Sequence, residues 1–306
     1  MWQACPAKYF LRIHEHWATR RKSAALGFGG ALHEGLAEWY RTGSQAKAVE
    51  AIVDAWPAAM PVDDWRTKEK AITVMAQYMK QHPQETFQIV GAPHAPMVEV
   101  TYTLDTGLCL DCDQCGWHFT RDQAVLVDEV LHCPVCGAIL EVIEYGGIFD
   151  TLVEFSGVVY VLEHKTTSRM GSYYFDQFKP NNQVAGYCWA AGKLSGKRVG
   201  GAIINAIGIY RVGATRFDRQ ITTRSDSDIE RWLTNLRATC QMIRDCERRG
   251  YWPQFTQSCT MYGKCEYHDV HVLSTDIEQE KFLEQQYVRQ EWSYETRDEP
   301  LGENGE

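Results

Sequence analysis

The sequence predicts a mixed α/β domain interrupted by a small metal-binding ribbon. Three observations carry that expectation. Helical segments come first, and a nearly sequential set of strands with one crossover helix follows them. Two apolar strands, GGIFDTLVEF and VVYVLEHKTT, flank the turn-forming Glu154-Phe155-Ser156-Gly157 and read as a hairpin. Between residues 109 and 136 five cysteines gather, four of them as two CxxC pairs.

Residues 1–20 read as helical, and ALHEGLAEWY (31–40) continues at helical spacing after a glycine-rich break at Gly27-Phe28-Gly29-Gly30. Further helices are expected near 45–56 and 64–82, with Asp63-Asp64 as the cap of the latter. After Pro93 and Pro96, MVEVTYTLD alternates as a strand, and the chain then enters the cysteine-rich segment. A helix is expected from about 175 to 193. VGGAIINAIGIYRV has the continuous apolar character of a buried strand, and a long helix follows over 226–249. Internal repeats are absent.

Composition narrows the function. The chain has 306 residues, 44% hydrophobic and 23% charged, which suits one large domain with an insertion or two domains. No run of about 18 apolar residues is present, so no membrane span is expected. The segment MWQACPAKYFLRIHEHW is too charged for a secretory signal. A cytoplasmic protein is the expectation. The net charge of −9 argues against a general polyanion-coating protein, and much of the acidity lies in 276–306, a segment expected to be poorly ordered. Eleven cysteines in a reducing compartment point to metal binding rather than disulfides.

Chemistry concentrates in 146–167. In a strand alternate side chains share a face, so Glu163 and Lys165 point one way and His164 the other, while the hairpin lays Asp150 near Glu163. Two carboxylates at about 4 Å repel unless a cation lies between them, and hard oxygen donors suit Mg²⁺ or Mn²⁺. Lys165, with a reference pKa near 10.4, is better suited to orienting water or stabilising developing charge than to acting as a base. Charged residues alternating on a half-exposed strand would show the same local pattern.

Cys112-Asp-Gln-Cys115-Gly and Cys133-Pro-Val-Cys136-Gly are two knuckles separated by a hairpin-sized segment. Four thiolates complete a closed tetrahedral Zn²⁺ site, which marks it as structural. A module this small takes its folding free energy from the metal. Cys109 is a fifth candidate. Cys240 and Cys246 read as helix residues and Cys188 as a buried one.

With these residues in place, the chain resembles the RecB-like exonuclease branch of the PD-(D/E)XK nuclease superfamily, whose members include phage-encoded and CRISPR-associated enzymes. Gly29-Gly30-Ala31-Leu32-His33 resembles its first motif, Asp150 its second, Glu163-His164-Lys165 its third, and Gln183-Val-Ala-Gly-Tyr187 its QxxxY helix. The resemblance implies a restriction-endonuclease-like core, a central mixed sheet flanked by helices. It divides the chain into an N-terminal nuclease part (1–108), a zinc ribbon (109–137), the nuclease core with a C-terminal cysteine segment (138–275) and the acidic tail (276–306). It also implies that His33, Asp150, Glu163 and the His164 carbonyl hold Mg²⁺ or Mn²⁺, and that Gln183 and Tyr187 position the substrate or the lysine. Cys5, Cys259 and Cys265 resemble ligands of the family's iron–sulfur cluster, with His271 where a fourth cysteine is expected. The implied activity is hydrolysis of DNA, single-stranded or at free ends, in recombination, repair or phage replication. A nuclease-derived binding or scaffolding protein and a structure-specific endonuclease are the alternatives.

Overall fold

The computed structural model describes residues 4–20, 23–58, 60, 64–118, 121–261 and 263–293. The chain divides into two compact units. One comprises described residues of 23–103 and 146–232, the other those of 4–20, 104–145 and 233–293. The sequence-based division groups these segments differently.

The first unit opens with three helices, α1 (Ala24–Thr42), α2 (Gln45–Asp54) and α3 (Lys68–Gln81). Ser23, Ser44 and Thr67 cap them, each side chain accepting a backbone N–H of the first turn. The cap of α3 is therefore Thr67, whereas the sequence suggested Asp63-Asp64; Asp63 lies outside the described residues, and Asp64 instead binds Arg66. The expected glycine break in α1 is also absent, since one helix runs through Gly27–Gly30. Close packing explains those glycines. A Cβ on Gly27 would come within 2.9 Å of Pro57 and Met60, and one on Gly29 within 3.1 Å of the Thr166 hydroxyl.

Six strands form the sheet: β1 (Gln88–Ile89), β2 (Val98–Cys109), β3 (Val142–Phe155), β4 (Val158–Thr167), β5 (Val199–Gly208) and β6 (Arg216–Thr223). Their order is β6-β5-β4-β3-β1, with β2 also paired to β3. The β4–β5 pair is parallel and crosses over through α4 (Asn182–Ser195), whereas β3–β4 and β5–β6 are antiparallel. This is the mixed sheet flanked by helices that the sequence implied. β3 and β4 meet in a two-residue turn. Ser156 and Gly157 both take positive φ, 51° and 78°, a backbone whose twist matches that of the strands it joins. Phe28, Leu32, Leu36, Met75, Tyr78, Leu162 and Ile207 belong to the core of this unit. Burying each large apolar side chain contributes about 1.5–3 kcal/mol.

In the second unit residues 6–20 do not continue as the expected helix. Pro6–Tyr9 forms one α-turn, Phe10–His14 a wider π-turn, and Trp17–Thr19 a strand antiparallel to Tyr287–Arg289. The tail expected from residue 276 is ordered at first. Thr275 caps a helix over Asp276–Gln286 in a reciprocal capping box, and Leu283 and Tyr287 bury against Leu11, Trp17 and Tyr267. Residues 294–306 lie outside the described residues. The long helix α5 (Asp226–Arg249) has the expected bounds. No described helix is long and apolar enough to cross a membrane.

Candidate active site

Within the first unit five elements bring their polar side chains to one place. The β3–β4 register sets Thr151 against Leu162, so the next residues outward, Asp150 and Glu163, come opposite each other. Both are buried, at 4% and 3% exposure, in a setting that penalises unpaired charge. Asp150 resolves this by accepting. Its Oδ2 takes the backbone N–H of His164 at 2.7 Å, and its Oδ1 lies 3.3 Å from Nδ1 of His33 on α1. Burial opposes its ionisation, but His33 and that backbone donor overcome it and hold its pKa well below the usual carboxylate range. Conversely, burial disfavours a charged His33, and the Asp150 carboxylate outweighs it, raising the imidazole pKa.

Glu163 behaves oppositely. Burial and the neighbouring Asp150 charge push its pKa up to about 7. Its Oε1 accepts from Lys165 Nζ at 2.7 Å, while Oε2 is buried with no hydrogen-bond partner. Lys165 also donates to Gln183 Oε1 at 2.9 Å, and Gln183 Nε2 donates to the Tyr187 hydroxyl at 3.0 Å. Glu163, Lys165, Gln183 and Tyr187 thus form one chain of hydrogen bonds from β4 to α4. Burial works against the Lys165 ammonium, but Glu163 more than compensates, so its pKa is raised and the charge is kept.

His164 points to the other face of β4, as the alternation requires. It is 2% exposed and stacks on Tyr40 at 5.4 Å. Asn205 on β5 donates to its Nδ1 at 2.7 Å, an orientation fixed because Arg219 Nε donates to the Asn205 carbonyl at 3.0 Å. Nδ1 accepts, so Nε2 carries the proton. Burial, against the pull of Asp150, brings the His164 pKa down to about 3, so the ring is neutral. Arg219 is in turn held by Glu85 through bonds of 2.6 and 2.8 Å, and Tyr40 and Tyr78 complete the network.

Sequence reasoning missed Asn205, Arg219 and Glu85. A readable signal existed for Asn205 alone, a lone amide inside an apolar strand that needs a buried partner. Glu99 on β2 was also missed. One donor atom each from His33, Glu99 and Asp150 lies within 4.8 Å of the others. In MVEVTYTLD this glutamate reads as ordinary alternation.

Hard oxygen and imidazole donors, with a buried carboxylate oxygen lacking a partner, fit a divalent cation such as Mg²⁺ or Mn²⁺. The cysteines of the second unit fit a different ion. Sγ of Cys112 lies 3.5 Å from that of Cys136, and Sγ of Cys115 lies 3.7 Å from that of Cys133. Tetrahedral Zn–S bonds of ~2.3 Å would place sulfurs about 3.8 Å apart, whereas a disulfide needs ~2.05 Å. The four could therefore hold zinc. Each knuckle closes alike. Gly116 and Gly137 take φ of 70° and 75° and donate back to Cys112 and Cys133. Cys109 is outside this set and buries its side chain beside Leu131 and Leu140. Arg237 of α5 donates to the Cys109 carbonyl and pairs with Asp111, and Arg244 pairs with Asp113 and Glu141.

Cys259 lies near both Cys5 and Cys265. Burial and the charges of Cys265 and Cys5 raise the Cys259 thiol pKa, and a backbone N–H of Phe255 points at the Cys5 sulfur at 3.5 Å. His271 sits on the short helix His268–His271. Among the described residues these four do not form a donor group as tight as the ribbon's.

The family model of the PD-(D/E)XK nuclease superfamily matches residues 2–270. The chain belongs to that superfamily. Its members are in general phosphodiester-cleaving nucleases that use Mg²⁺ or Mn²⁺, and their substrates are nucleic acids. No curated protein matches the chain.

Proposed function

We propose that this chain is a metal-dependent deoxyribonuclease of the RecB-like branch, acting as an exonuclease on single-stranded DNA or DNA ends. The observation that carries this reading is the buried Asp150–Glu163 pair with a lysine fixed beside it. Glu163 Oε2 has no hydrogen-bond partner, and Lys165 is pinned from both sides by Glu163 and Gln183.

Asp150, Glu163 and His33, with the His164 carbonyl, would hold the ion. A bound Mg²⁺ or Mn²⁺ supplies Lewis acidity toward the phosphoryl group and eases deprotonation of water. The protein's own groups do the rest. Lys165 keeps its proton and faces the negative charge that develops on the phosphate. Gln183 and Tyr187 limit the lysine to one direction and offer polar groups to the substrate backbone. The His164–Asn205–Arg219 network holds β4 so that Glu163 and Lys165 stay on the pocket side. General base help contributes only about 10²–10⁴ of the rate, so ion binding by these side chains must account for most of the acceleration.

In the second unit Cys112, Cys115, Cys133 and Cys136 would bind a structural zinc. Cys5, Cys259, Cys265 and His271 would bind an iron–sulfur cluster, whose several irons separate its ligands farther than a single ion does. Eleven cysteines without a disulfide suit the cytoplasm. The role suggested is end processing in recombination, repair or phage replication, alongside proteins of those pathways. End-labelled single- and double-stranded DNA, incubated with Mg²⁺ or Mn²⁺, tests the reading. Progressive loss of end label by the unaltered protein and none by Asp150→Asn is expected. Intact DNA under every condition would overturn it.

A further inference from the structure

We propose that Glu99 of β2 is a further ligand of the divalent ion, beside His33 and Asp150 with which it is grouped. This rests on the metal-dependent reading of the pocket and adds to it a donor that no family motif of the sequence contains.

Geometry supplies the first support. His33, Glu99 and Asp150 each bring one donor atom within 4.8 Å of the other two, whereas Glu163 does not belong to that group. The three come from α1, β2 and β3, separated by 66 residues between His33 and Glu99 and 51 between Glu99 and Asp150. Their meeting is a product of the fold rather than of local sequence. Two carboxylates and an imidazole match the donor chemistry of a divalent first-row ion or Mg²⁺.

A second, separate observation points to a cation at this place. Glu163 falls opposite Asp150 in the β3–β4 register, is 3% exposed, and its Oε2 has no hydrogen-bond partner. A buried carboxylate oxygen without a donor is costly unless a cation completes it.

The backbone at Glu99 is consistent with this assignment. Within a strand it takes φ of 52°, a left-handed conformation unusual for a non-glycine residue. Val98 before it and Tyr102 after it are buried. Such local turns re-aim single side chains next to functional sites.

The test is Mn²⁺ binding itself, followed by the paramagnetic signal of free Mn²⁺ on titration with full-length protein. Glu99→Gln keeps the side chain's shape and removes its charge. Binding at the pocket should weaken at least tenfold, since even groups that only support a ligand change affinity by ~10–100-fold. Asp150→Asn is the reference for loss of the site. Wild-type affinity in a folded Glu99→Gln protein would overturn the assignment.

A second measurement needs no variant. With Fe²⁺ in place of Mn²⁺, ascorbate and peroxide generate radicals that cut the backbone near the ion. Cuts near residues 33, 99 and 150 are expected, and absence of the cut at 99 would overturn the proposal. The two readings fail separately. Glu99-dependent Mn²⁺ binding without DNA cleavage leaves this inference standing and removes the nuclease. Cleavage by a protein whose Mn²⁺ affinity ignores Glu99 does the reverse.

Discussion

The site of the first unit and the cysteine ribbon of the second each gather donor groups that could hold a metal, by opposite routes. The ribbon takes its four donors from 25 consecutive residues, in two knuckles of the same shape closed by Gly116 and Gly137. The pocket takes Asp150 and Glu163 from a hairpin and adds His33, Glu99, Gln183 and Tyr187 from α1, β2 and α4. The ribbon's sulfurs stand at the spacing of one tetrahedral ion. The pocket's carboxylates differ in their proton affinity, Asp150 held ionised and Glu163 pushed up to about 7. A local site can close fully around an ion and serve structure. A site assembled from distant elements can keep donors uncommitted, as Glu163 Oε2 is, and serve chemistry.

The sharpest way to separate the two is to remove one donor from each. Asp150→Ala should abolish Mn²⁺-dependent cleavage, and Lys165→Ala should reduce it by ~10²-fold or more, with the circular dichroism spectrum and thermal melt of a folded protein. Cleavage by the lysine variant at the unaltered rate would remove Lys165 from the mechanism. Cys133→Ser should do the opposite, losing zinc by elemental analysis and exposing residues 109–137 to protease. Retained zinc would show that this thiolate is not a ligand.

A smaller effect is expected behind the pocket. Arg219→Met strands the Glu85 carboxylate and frees Asn205, and should destabilise the fold by about 3–5 kcal/mol in chemical denaturation. A change within a few tenths of a kcal/mol would mean that the network is better solvated than its burial indicates.

The smallest effect is a pH slope. Glu163 is protonated more readily in the folded protein than in the unfolded chain, so its contribution to stability is present below about pH 4.5 and is lost as pH rises through about 7. Metal-free protein should therefore lose stability over that window, and Glu163→Gln should flatten the slope. Mn²⁺ should reverse the loss by favouring the charged carboxylate. An unchanged slope in the variant would place the titration elsewhere.

Much of the pocket was legible because its hairpin is local. GGIFD and LEHKT carry the period-2 alternation that puts Glu163 and Lys165 on one face, and Gln183 and Tyr187 share a helix face at i, i+4. The α1 glycines were misread as a break because propensity alone cannot reveal Pro57, Met60 and Thr166 pressing on that helix. The segments at 6–20 and 276–289 were misread for a related reason. Their strands pair with each other across the length of the chain, and neither carries that partner in its own sequence.

By itself, the sequence determined the donor groups of this protein: soft thiols in paired knuckles, hard carboxylates at a hairpin, and a lysine two residues from one of them. Residue type and short-range periodicity are enough for that. Tertiary structure alone decided which distant groups join them. Glu99 meets His33 and Asp150, and Arg219 reaches His164 through Asn205, only because a folded sheet and helix bring separate segments together. No local pattern encodes such meetings, since they depend on the burial and register of elements dozens of residues apart.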